Sequence, residues 1–333
     1  MPSLTTLKLM SVVLLLSLFS KCQLVNAQKN WELLETNLVP RHESTLVSVN
    51  GALYLLGGRR DKPIEKYDSK NALWKHVLPQ TPLELHHFQA LAWQDNIYIL
   101  GAFTGSYPNE TGVENVLVFN TNSNQLTRST TMPKDRIRGG ASAAVYNDNI
   151  YLVGGIVNGH LSGSVSWFDK YNPKTQSFVR LPDAPNSRDH AAAAVVGDKL
   201  YVLGGRKTSA ATGQTFELTV SQVDVFDFHS QTWQTLPESM NLPTPRAGAN
   251  VVVVEKDIWV IGGESGSQKQ AHAEVEVLNT HNLTWSNAPP LNIGRHSGGA
   301  SLHQGAIYVV SGSGRRGGRP ELSNMERLTI PLR

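Results

Sequence analysis

Cysteine is almost missing from this chain: Cys22 is the one residue of its type among 333. A disulfide-stapled fold is therefore excluded. Long apolar runs are missing too, since the stretch from Leu9 to Phe19 falls short of the roughly 20 residues that span a bilayer. Charge of one sign is lacking. Thirty Lys and Arg face 27 Asp and Glu with no concentrated basic run, so nucleic-acid binding by bulk charge is not expected. No phosphate-cradling loop, nucleophile elbow or metalloprotease helix occurs, and no short-spaced His/Asp/Glu pattern suggests zinc or copper. Neither a metal nor a cofactor is expected.

What the chain does have is a repeat. Six apolar runs each carry an aromatic residue followed three positions later by glycine or serine: Tyr54 to Gly57, Tyr98 to Gly101, Tyr151 to Gly154, Tyr201 to Gly204, Trp259 to Gly262 and Tyr308 to Ser311. The spacing of about 50 residues suits four-stranded propeller blades and not helical repeats. A second pair of large residues sits seven apart across a polar turn in five repeats: Tyr67 and Trp74, Phe119 and Leu126, Tyr171 and Phe178, Phe226 and Trp233, Leu278 and Trp285. That is the chemistry of a hairpin. Each repeat thus reads as four strands, with strand a made of small residues, b ending in Gly-Gly, c carrying the first aromatic and d the tryptophan.

Across Trp31 to Leu328 this pattern resembles the kelch repeat family. The resemblance implies an all-β, six-bladed propeller of four-stranded antiparallel blades. Blades are expected at about 40–80, 85–133, 136–182, 187–237, 244–290 and 293–330, the last completed by residues 30–36. The reason is spacing: Trp31 precedes Tyr54 by the 23 residues that separate Trp285 from Tyr308, so Trp31 behaves as the strand-d residue of blade 6. An N-terminal strand closing the last blade leaves no open sheet edge at the seam.

Residues 1–27 read as a signal peptide, with Lys8 before the apolar stretch and Val25-Asn26-Ala27 at a cleavage position. A secreted product of residues 28–333 is expected, periplasmic in a Gram-negative host and extracellular otherwise. Its loss of Lys8 and Lys21 brings the basic excess from three to one. Asn109 and Asn282 begin glycosylation triplets usable only in a eukaryotic host.

The b-to-c intervals vary from 10 to 22 residues while the d-to-b intervals hardly change, which places functional loops at the b-to-c end. Thirteen residues before the strand-b aromatic stands an arginine in five blades: Arg41, Arg138, Arg188, Arg246 and Arg295, with Leu85 in blade 2. Because strand a is innermost, these arginines are expected to converge on the channel mouth and, with Arg59, Arg206, His87, His190 and His296, to bind an anion. The competing reading is that strand-a arginines brace neighbouring loops.

Two function classes follow. In one, the propeller binds an acidic small molecule, glycan or protein segment at the mouth. In the other, the resemblance extends to sialic acid mutarotases and implies a carbohydrate mutarotase or epimerase, with Glu264, Glu43 or His190 as acid/base candidates. Copper radical oxidases share the kelch propeller, but their cofactor needs a tyrosine cross-linked to cysteine. No cysteine follows residue 22, which excludes that chemistry.

Overall fold

The computed structural model describes residues 30–330, so the expected leader and Cys22 lie outside the described residues. The alternating apolar runs form six four-stranded antiparallel sheets arranged as a propeller. Blade 1 comprises strand a Ser44–Val49, b Ala52–Gly57, c Ile64–Asp68 and d Leu73–Leu78. Blade 2 has Leu91–Trp93, Asn96–Ile99, Asn115–Asn120 and Gln125–Thr131 in the same order. Blade 3 has Ser142–Tyr146, Asn149–Val153, Phe168–Asn172 and Ser177–Leu181. Blade 4 has Ala192–Val196, Lys199–Leu203, Asp224–Asp227 and Thr232–Thr235. Blade 5 has Asn250–Val254, Asp257–Ile261, Val275–Asn279 and Thr284–Ala288.

Blade 6 is made from both ends of the described chain. Strands a to c are Gly299–His303, Ala306–Val310 and Met325–Thr329. Strand d is Glu32–Leu34, which pairs antiparallel with strand c, Leu34 opposite Met325 and Glu32 opposite Arg327. The Trp31 indole is buried and donates to Pro289 O across the junction with blade 5. Trp233 and Trp285 do the same to Pro182 O and Met240 O of the preceding blades. In blades 4, 5 and 6 the strand-d tryptophan thus packs its own blade and ties it to the preceding one.

The core lies between blades, where one sheet's apolar face meets its neighbour's. Tyr54 and Leu56 of blade 1 share a cluster with Ile97 and Phe119 of blade 2. Each such fully buried side chain contributes about 1.5–3 kcal/mol relative to exposure. The Gly-Gly at the end of strand b is a backbone stitch. The second glycine's N–H donates to the carbonyl of the arginine-column residue in the next blade, as from Gly155 to Arg188, Gly205 to Arg246, Gly263 to Arg295 and, across the seam, Gly312 to Arg41.

Candidate functional site at the inner end of the channel

The small residues of strand a leave an axial cavity of about 290 Å³, lined by all six blades. Toward the a-to-b turns its lining residues, among them Leu91, Ala92, Val251 and Ser301, are half-exposed. Toward the b-to-c loops it ends on buried Glu43, His87 and His190. The cavity therefore opens at the turn end, and its loop end is filled by a polar network.

The five arginines do not line this cavity, which corrects the expected anion ring. Each guanidinium is at most 1% exposed and lies inside its own blade. Arg188 donates to Gly204 O, Gln222 O and Asp224 on strand c. Arg41 pairs with Glu65, Arg138 with Asp169, Arg246 with Glu276 and Arg295 with Glu326, always an acid on strand c. Blade 2 replaces both members by apolar residues, Leu85 and Leu117, within one hydrophobic cluster. Guanidinium groups buried inside the blade and bonded there to carbonyls and a buried acid do not face a ligand, so the bracing role is the one the geometry carries.

Two positions after the arginine column the backbone itself is unusual. Glu43, His87, Gly140, His190, Gly248 and Ser297 all have φ between 49° and 60°. Around the axis this column is linked from blade 2 to blade 6 by inter-blade bonds, Gly140 N to His87 O, His190 N to Gly140 O, Gly248 N to His190 O and Ser297 N to Gly248 O. A left-handed φ costs a non-glycine residue about 1–2 kcal/mol. Blades 3 and 5 avoid that cost with glycine. Blades 1, 2, 4 and 6 accept it, and the first three thereby place Glu43, His87 and His190 at one end of the cavity, the kind of strain that collects at functional sites.

Around these three the b-to-c loops add His160, Glu110 and Arg59. Ring nitrogens of His87, His160 and His190 lie within 4.8 Å of one another, and all three residues are buried. His190 Nδ1 donates to Asp189 Oδ1 at 2.5 Å, while its Nε2 faces His160 Nε2 at 3.1 Å. His160 Nδ1 lies 2.9 Å from Glu110 Oε1, within reach of a hydrogen bond after a small ring rotation. His87 Nε2 lies 3.2 Å from Glu43 Oε2. His86 Nε2 donates to Gly105 O at 3.0 Å, and the His86 and His87 Nδ1 atoms approach to 2.6 Å.

Burial pushes His87 and His160 below the ordinary imidazole range, and burial with nearby Arg59 pushes His86 down to about 4. Burial alone would raise the acids. For Glu110 it is outweighed by His160 and Arg59, which hold the carboxyl at about 2. For Asp189 it is outweighed by His190 and Arg206, which hold it well below the carboxylate range. The loop end is thus built of imidazoles, with burial disfavouring the charged form of His86, His87 and His160, backed by ionised Glu110 and Asp189.

The remaining candidates form a second network beside the first. Arg206 Nη1 bonds Glu264 Oε1 at 2.5 Å, and its Nε lies 4.0 Å from Asp189. Glu264 also accepts from Gly317 N at 2.7 Å and lies 3.3 Å from His296 Nε2. Arg59 pairs with Glu110. Of the expected site residues, Glu43, His87 and His190 meet at the cavity, Arg59 reaches their cluster through Glu110, and Arg206, Glu264 and His296 lie behind. His160 and Glu110, which no spacing rule marked, are the members absent from the expected set.

Blade number, blade topology and the inward arginine column define a kelch-type propeller. The KLHDC2/KLHL20/DRC7 Kelch-repeats domain family matches residues 87–312, and the chain belongs to the kelch-repeat family. It is 30% identical over 292 residues to Kelch-like protein terF of Aspergillus terreus, covering 82% of this chain and 61% of that protein. Human Kelch-like protein 23 is 22% identical over 294 residues, covering 87% of this chain and 48% of that one. The chain therefore spans less than two thirds of these relatives. Among solved structures, that of YjhT superposes with a TM-score of 0.70 at 16% identity, over 89% of this chain and 94% of that one.

Proposed function

We propose that this protein is a secreted propeller that binds a small polar molecule in its axial cavity, with Glu43, His87 and His190 as the recognition groups. The observation that carries this reading is the cavity itself: apolar and small-residue walls leading to convergent polar groups held on strained backbone. Its volume of about 290 Å³ sits at the lower end of ligand pockets, about 300–1,000 Å³. That size favours a single sugar or sugar acid over an extended glycan or protein segment. Ionic recognition of a carboxylate by the arginine ring is replaced by hydrogen bonding from imidazoles and glutamate at the cavity end.

A sugar isomerase of mutarotase type is the second reading. It is favoured by the Asp189–His190 dyad and the Glu43–His87 pair, two groups able to move a proton side by side at one end of a small cavity. Secretion rests on the sequence of residues 1–27 alone.

Calorimetry of the purified protein against monosaccharides and sugar acids tests the reading, with His190→Gly and Ala191→Phe as variants. Binding lost in both, with melting close to that of the parent, is the expected outcome. Affinity unchanged in both would overturn the cavity as the site. Anomer-exchange NMR on any bound sugar then separates a catalyst from a binder.

A further inference from the structure

We propose that His87, His160, His190 and Glu43 form a binding site for one divalent transition-metal ion, such as zinc, at the inner end of the axial cavity. The inference rests on the cavity being a site but not on its organic ligand, so the two readings fail separately. The expectation of no metal came from the lack of short-spaced donors in the sequence. Here the four donors come from four different blades, where no short spacing can arise.

Proton bookkeeping points to a cation. Gly105 O can only accept, so His86 Nε2 carries its proton and a neutral His86 presents a bare Nδ1. His87 Nδ1 must then donate to it, which leaves His87 Nε2 as a lone pair aimed at the Glu43 carboxylate. On the other side, His190 Nδ1 is matched to Asp189, so its Nε2 lone pair faces His160 Nε2 at 3.1 Å, while the Glu110 carboxylate lies 2.9 Å from His160 Nδ1. The Glu43 carboxylate and the lone pairs of His87 and His190 thus point into one small space beside the third imidazole, and one cation there serves them together.

The geometry suits that ion. Two nitrogens on one tetrahedral zinc at about 2.0–2.1 Å are separated by roughly 3.3 Å, close to the His160–His190 gap. The widest separation among the three imidazoles, 4.8 Å, closes by side-chain rotation toward a shared centre. Carboxylates behind metal-binding imidazoles orient the ring and raise its basicity, the relation Asp189 has to His190 and Glu110 to His160. Charge agrees as well. Glu43, Glu110 and Asp189 bring three negative charges, Arg59 offsets one, Arg206 is taken by Glu264, and a divalent ion balances the rest. Glu43 and the two histidines lining the cavity give the ion an entry path.

The test is equilibrium dialysis of the chelator-stripped protein against buffered zinc at micromolar free concentration, with metal content measured per chain. Cobalt absorption spectra report the ligand field. One equivalent and a visible band pattern of nitrogen-rich, low-coordinate cobalt are expected. The informative variants are Glu43→Gly, His87→Gly and His190→Gly, because a left-handed φ suits glycine and these chains keep the fold. Each is expected to lose the metal, and Asp189→Asn and Glu110→Gln to weaken it about 10–100-fold. His229→Ala, on the exposed surface beside Asp198, is the control and retains full occupancy. Absence of bound zinc in the parent protein, or full occupancy in the three glycine variants, would overturn the site.

Discussion

Arg188 Nη2 lies 2.7 Å from Asp224 Oδ2 with both side chains buried, and blade 2 fills the same two positions with Leu85 and Leu117. The chain thus contains both an ionic and an apolar solution to one packing problem. Breaking a buried pair leaves an uncompensated charge and costs about 3–5 kcal/mol, whereas replacing both partners is far milder. Arg188→Leu is therefore expected to lower stability by that amount. Adding Asp224→Leu recovers roughly half, since Gly204 O and Gln222 O still lose their guanidinium donor at about 1–3 kcal/mol for unsatisfied groups. Urea unfolding of the single and double variants checks this. A double variant less stable than Arg188→Leu alone would show that the two residues are not an interchangeable unit.

The Gly-Gly stitch predicts a graded response to alanine. At Gly204, φ is +62°, and a Cβ would sit 2.6 Å from Arg246 O of the next blade. At Gly197, φ is +57° with nothing within 4 Å. Gly197→Ala carries only the left-handed cost, about 1–2 kcal/mol. Gly204→Ala carries the same cost and also displaces the inter-blade carbonyl, so its melting temperature is expected to fall clearly further. Equal losses at the two positions would mean that the approach of Arg246 O does not hold the blades together.

Closure of the ring by the N-terminal strand was legible in the sequence because tryptophan spacing is a core property, repeated wherever a strand d packs. The arginines were misread for a physical reason: an arginine that braces a loop and one that grips a ligand have the same sequence position. The deciding signal was in strand c, where an acid stands two residues before the large residue in the five arginine blades, as Glu65, Asp169, Asp224, Glu276 and Glu326, and Leu117 stands there in blade 2. The column two residues after the arginine was equally readable, since Gly140 and Gly248 mark a left-handed φ that Glu43, His87 and His190 share. His160 was not readable. Its b-to-c loop has no length rule, and only the fold brings it to His190.

Removing residues through Thr36 is expected to abolish cooperative unfolding. The deletion takes away the Glu32–Leu34 strand and exposes the edge of Met325–Thr329, along with the pocket of buried Trp31. The milder Trp31→Ala removes one large core side chain and the bond to Pro289 O, worth about 3–5 kcal/mol. Circular dichroism melts distinguish the two. A truncated chain that melts like the parent would contradict closure by strand d.

The seam carries an acid-sensitive clasp at Glu321, in the b-to-c loop of blade 6. Its carboxylate accepts from His42 Nδ1 at 2.8 Å and pairs with Arg60 and Lys62, all from blade 1. Partial burial raises the carboxyl, but His42 and Lys62 outweigh burial and hold it at about 2, below its ordinary 4.5. A folded-state value below the unfolded one means the stabilisation is complete above pH 4.5 and is lost as pH falls toward 2. Glu321→Gln is therefore expected to be less stable than the parent near neutral pH, with the difference shrinking through that window and vanishing at its lower end. Urea midpoints of parent and variant across the pH range provide the measurement, and a difference that stays constant down to the acid end would show that the ionised clasp contributes nothing to closing the ring.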